Sequence, residues 1–104
     1  MEFESVGEII ASRMLYLIDE HGNKRPVSVF VGKPQPSQSD PGYECPFQII
    51  GLGSQNAHVG HGRDAIQALK TALNLLGAKL HHLNEEVGGR LVWEGGAPGE
   101  LGFP

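Results

Sequence analysis

One segment of the 104-residue chain constrains its fold more than any other, the run from Asp64 to about Leu83. At about 100° per residue its apolar residues share one helical face, which holds Ala65, Ile66, Leu69, Ala72, Leu73, Leu76, Leu80 and Leu83. Asp64 is a favourable N-cap residue, and Gln67 completes a capping box. The pattern predicts one long helix that packs on a sheet. Gly77, at the edge of the apolar face, would allow close approach to a strand.

The side of this helix turned away from the predicted core carries a second, narrower seam. Its small and apolar residues recur at three- and four-residue steps and comprise Ala68, Thr71, Leu75, Ala78 and His82. Two interpretations stay open. The seam is ordinary surface made of good helix formers, or it is a contact surface, with Leu75 near the axis of a twofold homodimer. Leu75 and His82 are therefore candidate interaction residues.

Strand patterns occupy the chain before the helix. Residues 8–19 form a long apolar run, residues 20–24 favour a tight turn, and residues 26–32 return with alternating valines. Residues 33–42 form a loop rich in proline and serine. Strand character resumes over residues 43–52, where Pro46 indicates an edge or a bulge because it cannot donate a ladder hydrogen bond.

Weaker patterns complete the predicted architecture. Short strands are expected near residues 57–59 and 90–94, and residues 95–104 form an irregular tail in which Leu101 and Phe103 are apolar enough to pack on the body. The order predicts an α+β fold, an antiparallel meander sheet of three to five strands with one long helix on one face. A single domain over residues 1–104 matches the chain length.

Arg13 interrupts the first apolar strand and is a further candidate interaction residue. A long arginine side chain in this setting usually reaches across apolar surface to keep its charge in water. We therefore expect it on the open face of the sheet. The alternative is that Arg13 pairs with a carboxylate or anchors an anionic ligand.

Three motifs resemble a family of small bacterial proteins known only as a domain of unknown function. They are Tyr43-x-Cys45-Pro46-Phe47-x-Ile49, the helix start Gly62-x-Asp64-Ala65-Ile66-Gln67-Ala68-Leu69, and the terminal Leu101-Gly102-Phe103-Pro104. The resemblance spans most of the chain and implies a bacterial source, but it supplies no functional residue. In general architecture the chain also resembles small antitoxin and immunity-type domains.

Charge and hydropathy argue against two classes of partner. The chain has 8 Lys and Arg against 12 Asp and Glu, a net charge of −4, and its basic residues are scattered rather than gathered in the stripe that nucleic-acid binding needs. Its apolar runs are far shorter than the ~20 residues of a membrane span, and the acidic start lacks a secretory pattern. We expect a cytoplasmic protein that binds neither nucleic acid nor membrane.

No residue pattern predicts a catalytic, cofactor or metal site. Cys45 has no predicted base and fits a small buried hydrophobe. His81 and His82 are adjacent and cannot share one ion alone, because they point about 100° apart on a helix.

The turn that opens the helix is a candidate anion-binding site formed by Gly60, Gly62 and Arg63, because helix N-termini favour anions. Against this, Asp64 places a carboxylate where the anion would lie, and a flexible capped turn explains the same residues.

These observations favour a non-enzymatic protein-interaction module. One form of this prediction is an immunity or antitoxin-like protein. The partner is another protein or a second copy of this chain. The alternative is a small-molecule or anion-binding domain that uses the turn before the helix and the proline-rich loop. A hydrolase would require a histidine, a cysteine and a carboxylate to converge in one pocket.

Overall fold

A computed structural model describes residues 6–38 and 41–104. In this part of the chain six strands and one helix follow the order β1 (Ile9–Ile18), β2 (Lys24–Gly32), β3 (Gln35–Pro36), β4 (Tyr43–Ile50), β5 (His58–Gly62), α1 (Ala65–Glu86) and β6 (Leu91–Val92). All strand pairs are antiparallel, and α1 packs on the sheet. The predicted α+β class is confirmed. The two-residue strand β3 lies inside the segment that the sequence marked as a loop.

The long strands form a meander. β1 pairs with β2, β2 with β4, and β4 with β5, while β6 joins the other edge of β1. The β1–β2 turn is closed by Asp19, whose carboxylate accepts 2.8 Å hydrogen bonds from the backbone N–H groups of His21 and Asn23. Gly22 in this turn has a φ of 81°, a conformation that glycine adopts without steric cost.

Pro46 lies at a gap in the pairing of an inner strand. β4 meets β5 along one side, and along the other side it meets β3 at residues 43–44 and β2 at residues 47–50. Cys45 and Pro46 have no strand partner on that second side. The missing N–H of proline is thus accommodated where β4 changes partner, so β4 is not the edge strand that Pro46 suggested as one of two options.

The helix is rotated relative to the predicted stripe. Its buried residues are Ala68, Ala72, Leu76, Gly77, Leu80 and Asn84, while Ile66 is 72% exposed. The assignment of Ala68 to the outward seam was wrong, since its exposure is 0%. The cause lies in β5: a Cβ on Gly60 would stand 2.5 Å from the backbone N of Ala72, and one on Gly62 would meet the backbone N of Ala68. Small residues on both elements bring strand and helix into backbone contact.

The core lies between the sheet and α1, and the tail closes part of it. The core comprises Leu15, Leu17, Val27, Val29, Val31, Cys45, Phe47, Ile49, Ala68, Ala72, Leu76, Leu80, Leu91 and Leu101. Leu101 is only 3% exposed and Phe103 is half-buried against this cluster, so the predicted packing of the tail is confirmed. Gly77 accommodates this tail and not a strand, because its Cβ would lie 2.6 Å from the carbonyl oxygen of Pro104.

In the ranges 6–38 and 41–104, no helix combines the length and the apolar character needed to cross a membrane.

Candidate functional site

The structure brings the candidate interaction residues Leu75 and His82 to the side of α1 that lies beside β5. They line a groove of about 450 Å³, which we call the edge groove, together with Phe47, His58, Val59, Ala78 and Lys79. Phe47 and His58 are cross-strand neighbours in the β4–β5 ladder, and their rings stack with centroids 5.7 Å apart. Leu75 is 44% exposed and Val59 38% exposed. The groove therefore offers accessible apolar surface at one edge of the sheet.

His58 gives the edge groove a buried polar atom. Its Nε2 is buried and has no hydrogen-bond partner among the described residues. Burial lowers the pKa of His58, and the nearby positive charge of Lys79 lowers it further. The neutral ring can serve as one donor and one acceptor, and a rotation of the His58 side chain would bring the unsatisfied Nε2 within reach of a molecule in the groove.

Charges at the rim of the edge groove come from α1. Lys79 has no acidic partner within salt-bridge distance in the described part of the chain. By contrast, Nε2 of His82 lies 3.2 Å from Oε2 of Glu86, which is one helical turn further along α1. The Glu86 and His82 side chains are both well exposed, so this pair contributes little to stability. The positive charge of Lys79 is therefore available to an anionic group of a molecule bound in the groove.

Arg13 lies in a second groove, on the other side of α1. This tail groove has a volume of about 220 Å³ and is lined by Ala11, Ser12, Arg13, Val29, Val31, Leu73, Gly102, Phe103 and Pro104. One guanidinium nitrogen of Arg13, Nη1, donates to the carbonyl oxygens of Gly102 at 2.7 Å and Leu101 at 3.3 Å. The guanidinium carbon also lies 4.1 Å from the ring centroid of Trp93 and 5.0 Å from that of Phe103.

These contacts place Arg13 on the helix-facing side of the sheet, in phase with buried Leu15 and Leu17. The expected reach to the open face is not observed. The C-terminal tail, which crosses this side of the sheet, supplies the carbonyl groups and aromatic rings that receive the charge.

The candidate anion-binding turn serves as the helix cap. The side chain of Asp64 accepts a hydrogen bond from the backbone N of Gln67 at 2.8 Å, and the side chain of Gln67 accepts one from the backbone N of Arg63 at 2.7 Å. This confirms Asp64 as the N-cap and Gln67 as its partner, with the Gln67 side chain bound to the N–H of Arg63 and not to that of Asp64. Gly60 and Gly62 are occupied by close contact with α1. Gly60, Gly62 and the backbone N–H of Arg63 thus make contacts within the domain, and anion binding at this turn stays a prediction.

Cys45 is completely buried, and its thiol contacts the carbonyl oxygen of Gly32 at 3.5 Å. Burial raises the pKa of this thiol, which keeps it protonated and unreactive. The interpretation of Cys45 as a buried hydrophobe is confirmed. Among the described residues no three His, Cys, Asp or Glu side chains come together as a metal site.

The chain matches the model of a known protein family. The model of DUF6968, a domain of unknown function, matches residues 11–104. The chain belongs to this family. No curated protein and no solved structure matches the chain.

The DUF6968 match confirms the family resemblance, while the bacterial source stays a prediction. Both grooves lie wholly inside the matched range, from Ala11 in β1 to Pro104 in the tail. Both grooves are therefore formed by the part of this chain that matches the family model.

Sequence reasoning missed several residues of both grooves in this DUF6968 domain. His58 and Phe47 come together through the β4–β5 register, and Trp93 meets Arg13 through the path of the tail. The long connection between β4 and β5 leaves their register open in the sequence, and the tail has no periodicity that would predict its path. Lys79 had a usable signal, because it lies one turn from Leu75 on the same helix face and belongs to the neighbourhood of the second seam.

Proposed function

We propose that this domain is a protein-interaction module that binds an extended segment of its partner along the outer edge of β5. The observation that carries this proposal is the position of the edge groove directly beside an unpaired strand edge. Within the described residues β5 pairs only with β4, so the backbone groups on its other side are open to a further strand. Strand addition uses such groups for affinity and nearby side-chain pockets for specificity.

The β5 edge lacks the usual protection against pairing. Natural edge strands are blunted by lysine, proline, bulges or a very short length. The sequence of β5, His58-Val59-Gly60-His61-Gly62, contains no lysine or proline, and its pairing with β4 is regular over all five residues. The opposite edge strand, β6, has only two residues. Because β6 pairs with β1 only at Tyr16 and Leu17, the rest of β1 is also an unpaired edge among the described residues. What favours β5 is the edge groove that lies directly beside it.

The edge groove defines which segment fits. Side chains of an added strand alternate between the two faces of the sheet. Those on the helix side would enter the groove between Leu75, Ala78 and Phe47, which suits apolar residues. A neighbouring acidic residue would lie near Lys79, and a polar group could reach His58. We therefore propose an apolar partner segment that carries an acidic residue.

An immunity or antitoxin role is the version of this proposal in which the partner is a toxin, and the cytoplasm is the compartment we propose for the complex. A homodimer through the same surface is the competing outcome, because twofold pairing of two β5 strands would use the same backbone groups.

Site-specific photo-crosslinking tests the proposal. A photoreactive phenylalanine analogue is placed at Leu75 and, as a control, at Ile66, which is 72% exposed and lies nine residues or about two and a half turns away on the opposite flank of α1. Crosslinking is performed in cells of the source organism. The crosslinked segment is then identified by mass spectrometry, synthesised as a peptide and titrated by calorimetry.

The expected result is a heterologous crosslink at Leu75 that is missing at Ile66. Leu75→Glu and Val59→Lys are expected to weaken binding of the peptide by about 10- to 100-fold, while Ile66→Glu leaves it unchanged. Self-crosslinks at Leu75, with a dimer in sedimentation that Leu75→Glu dissociates, would replace the proposal with a homodimer. A partner that binds both groove variants normally would exclude the β5 edge.

A further inference from the structure

We propose that the tail groove is a binding site for a small organic carboxylate with an apolar body, such as a medium-chain fatty acid or an arylacetic acid, and that Arg13 binds its carboxylate. This site is on the opposite flank of α1 from the edge groove and does not depend on the proposed protein partner. The proposal rests on the charge, the unused donors and the shape of the tail groove.

Arg13 has no ionic partner in the part of the chain that the structure describes. It is partly buried, and no Asp or Glu lies within salt-bridge distance of it in residues 6–38 and 41–104. Two backbone carbonyls and two aromatic ring faces surround the guanidinium instead. Buried charges are ordinarily paired with an opposite charge, and a partly buried charge such as that of Arg13 also gains from one. An anion beside Arg13 would supply the missing partner.

The guanidinium also retains free donors. Both of its hydrogen bonds to the tail leave from Nη1, and among the described residues Nε and Nη2 donate to no protein acceptor. A guanidinium presents its N–H groups as a planar fork that matches the two oxygens of a carboxylate. Arg13 can therefore hold the tail and a carboxylate at the same time.

The shape of the tail groove selects the rest of the ligand. Arg13 is the one residue in its lining with a charged side chain, and Val29, Val31, Leu73 and Phe103 provide apolar walls. The volume of about 220 Å³ is smaller than the roughly 300–1,000 Å³ of pockets that hold drug-sized molecules. A single short chain or one aromatic ring, with one negative charge, fits these limits.

Trp93 provides a built-in reporter of the site. It is the single tryptophan of the chain, and its ring lies 4.1 Å from the guanidinium carbon of Arg13. Octanoate and phenylacetate are titrated into the protein while tryptophan fluorescence is recorded, with calorimetry as a second measurement. Octanamide and phenylacetamide serve as neutral probes of the same shape, and acetate and inorganic phosphate serve as probes of charge alone.

The expected result is saturable binding of both apolar carboxylates, with the amides weaker by about 10- to 100-fold and no saturable effect of acetate or phosphate. Arg13→Met should remove the preference for carboxylate over amide, which loss of a merely structural arginine would not do. Arg13→Lys should reduce it, because lysine lacks the planar fork.

A groove-filling pair of variants keeps the test valid even where changes at Arg13 prevent folding. Ala11→Phe occludes the tail groove and should abolish carboxylate binding, while Ala78→Phe, in the edge groove, should leave it unchanged. Equal binding of carboxylates and amides to the parent protein would overturn the proposal, and so would normal binding to Ala11→Phe. Saturable binding of acetate or phosphate alone would show that the apolar walls play no part.

Discussion

The two flanks of α1 are attached to the domain in different ways. Along β5 the contact is backbone against backbone, with Gly60 and Gly62 pressed on Ala72 and Ala68. Along the tail, Gly77 also lies close to backbone, the carbonyl oxygen of Pro104, but here the partner is an irregular segment. Arg13 of β1 holds the carbonyl groups of Leu101 and Gly102 in that segment. A close contact between a strand and a helix cannot relax without moving a whole element, whereas an irregular segment can shift locally. We expect the β5 flank to be stiff and the tail flank to adjust.

Gly62→Ala should have the largest effect. The new Cβ would meet the backbone N of Ala68, so either β5 or the first turn of α1 must shift. We expect a loss of about 3 kcal/mol in the free energy of unfolding, the upper end of the usual cost of overpacking. Urea denaturation followed by circular dichroism measures it. A loss below about 1 kcal/mol would show that the β5 flank adjusts as the tail does.

Leu101→Ala tests how much the tail flank contributes. Leu101 is 3% exposed in the core, and removing a buried leucine side chain costs about 2–5 kcal/mol. We expect about 2–3 kcal/mol, because the irregular tail can collapse partly into the cavity. Leu101→Met, which conserves volume, should cost less than about 1.5 kcal/mol in the same denaturation experiment. Equal effects of the two substitutions would mean that Leu101 is not packed in the core.

Gly77→Ala is the matched counterpart of Gly62→Ala on the tail flank. Its Cβ would lie 2.6 Å from the carbonyl oxygen of Pro104 and 3.2 Å from Cβ of Phe103, also too close. Alanine gains about 1 kcal/mol over glycine in a helix interior, and the exposed end of the tail can move away. We expect a net change within about 0.5 kcal/mol together with a change in Trp93 fluorescence, since Trp93 contacts Arg13 beneath the tail.

A loss for Gly77→Ala as large as that for Gly62→Ala would remove the distinction between a stiff and an adjustable flank. An unaltered fluorescence spectrum would show that the tail does not move, and the strain would then have to be absorbed within α1.

The same difference explains what the sequence could predict. The helix, its cap at Asp64 and the meander all follow from local periodicity and capping chemistry, so their existence could be predicted from residues close together in the chain. The rotation of α1 about its own axis could not be predicted in this way, because it depends on Gly60 and Gly62 in another element, β5. Glycine carries no hydrophobic signal, and the helix pattern alone favoured Ile66 over Ala68 as a core residue.

Neither groove could be predicted from local sequence patterns, for a related reason. Leu75 and His82 could be selected from the helix seam, but their neighbours His58 and Phe47 come from the register of two strands. Arg13 stood out as a charge in an apolar strand, whereas its contacts with Trp93 and Phe103 depend on a tail that has no periodicity. Contacts between distant segments decide which candidate residues meet.

The smallest expected effect is on the pH dependence of stability and comes from His58. This residue lies in β5 beside the edge groove, near the close contacts of Gly60 with α1. Burial, and next the charge of Lys79, lowers the pKa of His58, so the folded state favours the neutral ring. The other charged or titratable groups at this groove are His82 and its partner Glu86. Because the folded pKa lies below the unfolded value, the contribution of His58 to stability is fully present above about pH 6.5 and is lost as the pH falls through the folded pKa.

His58→Gln should remove this part of the pH dependence, whereas His82→Gln, at an exposed site, should retain it. The measurement is the free energy of unfolding of all three proteins between neutral and mildly acidic pH. Parallel profiles for the parent and His58→Gln would mean that His58 is as solvated in the folded state as in the unfolded chain, and the groove would then lack the buried polar group that a bound partner could satisfy.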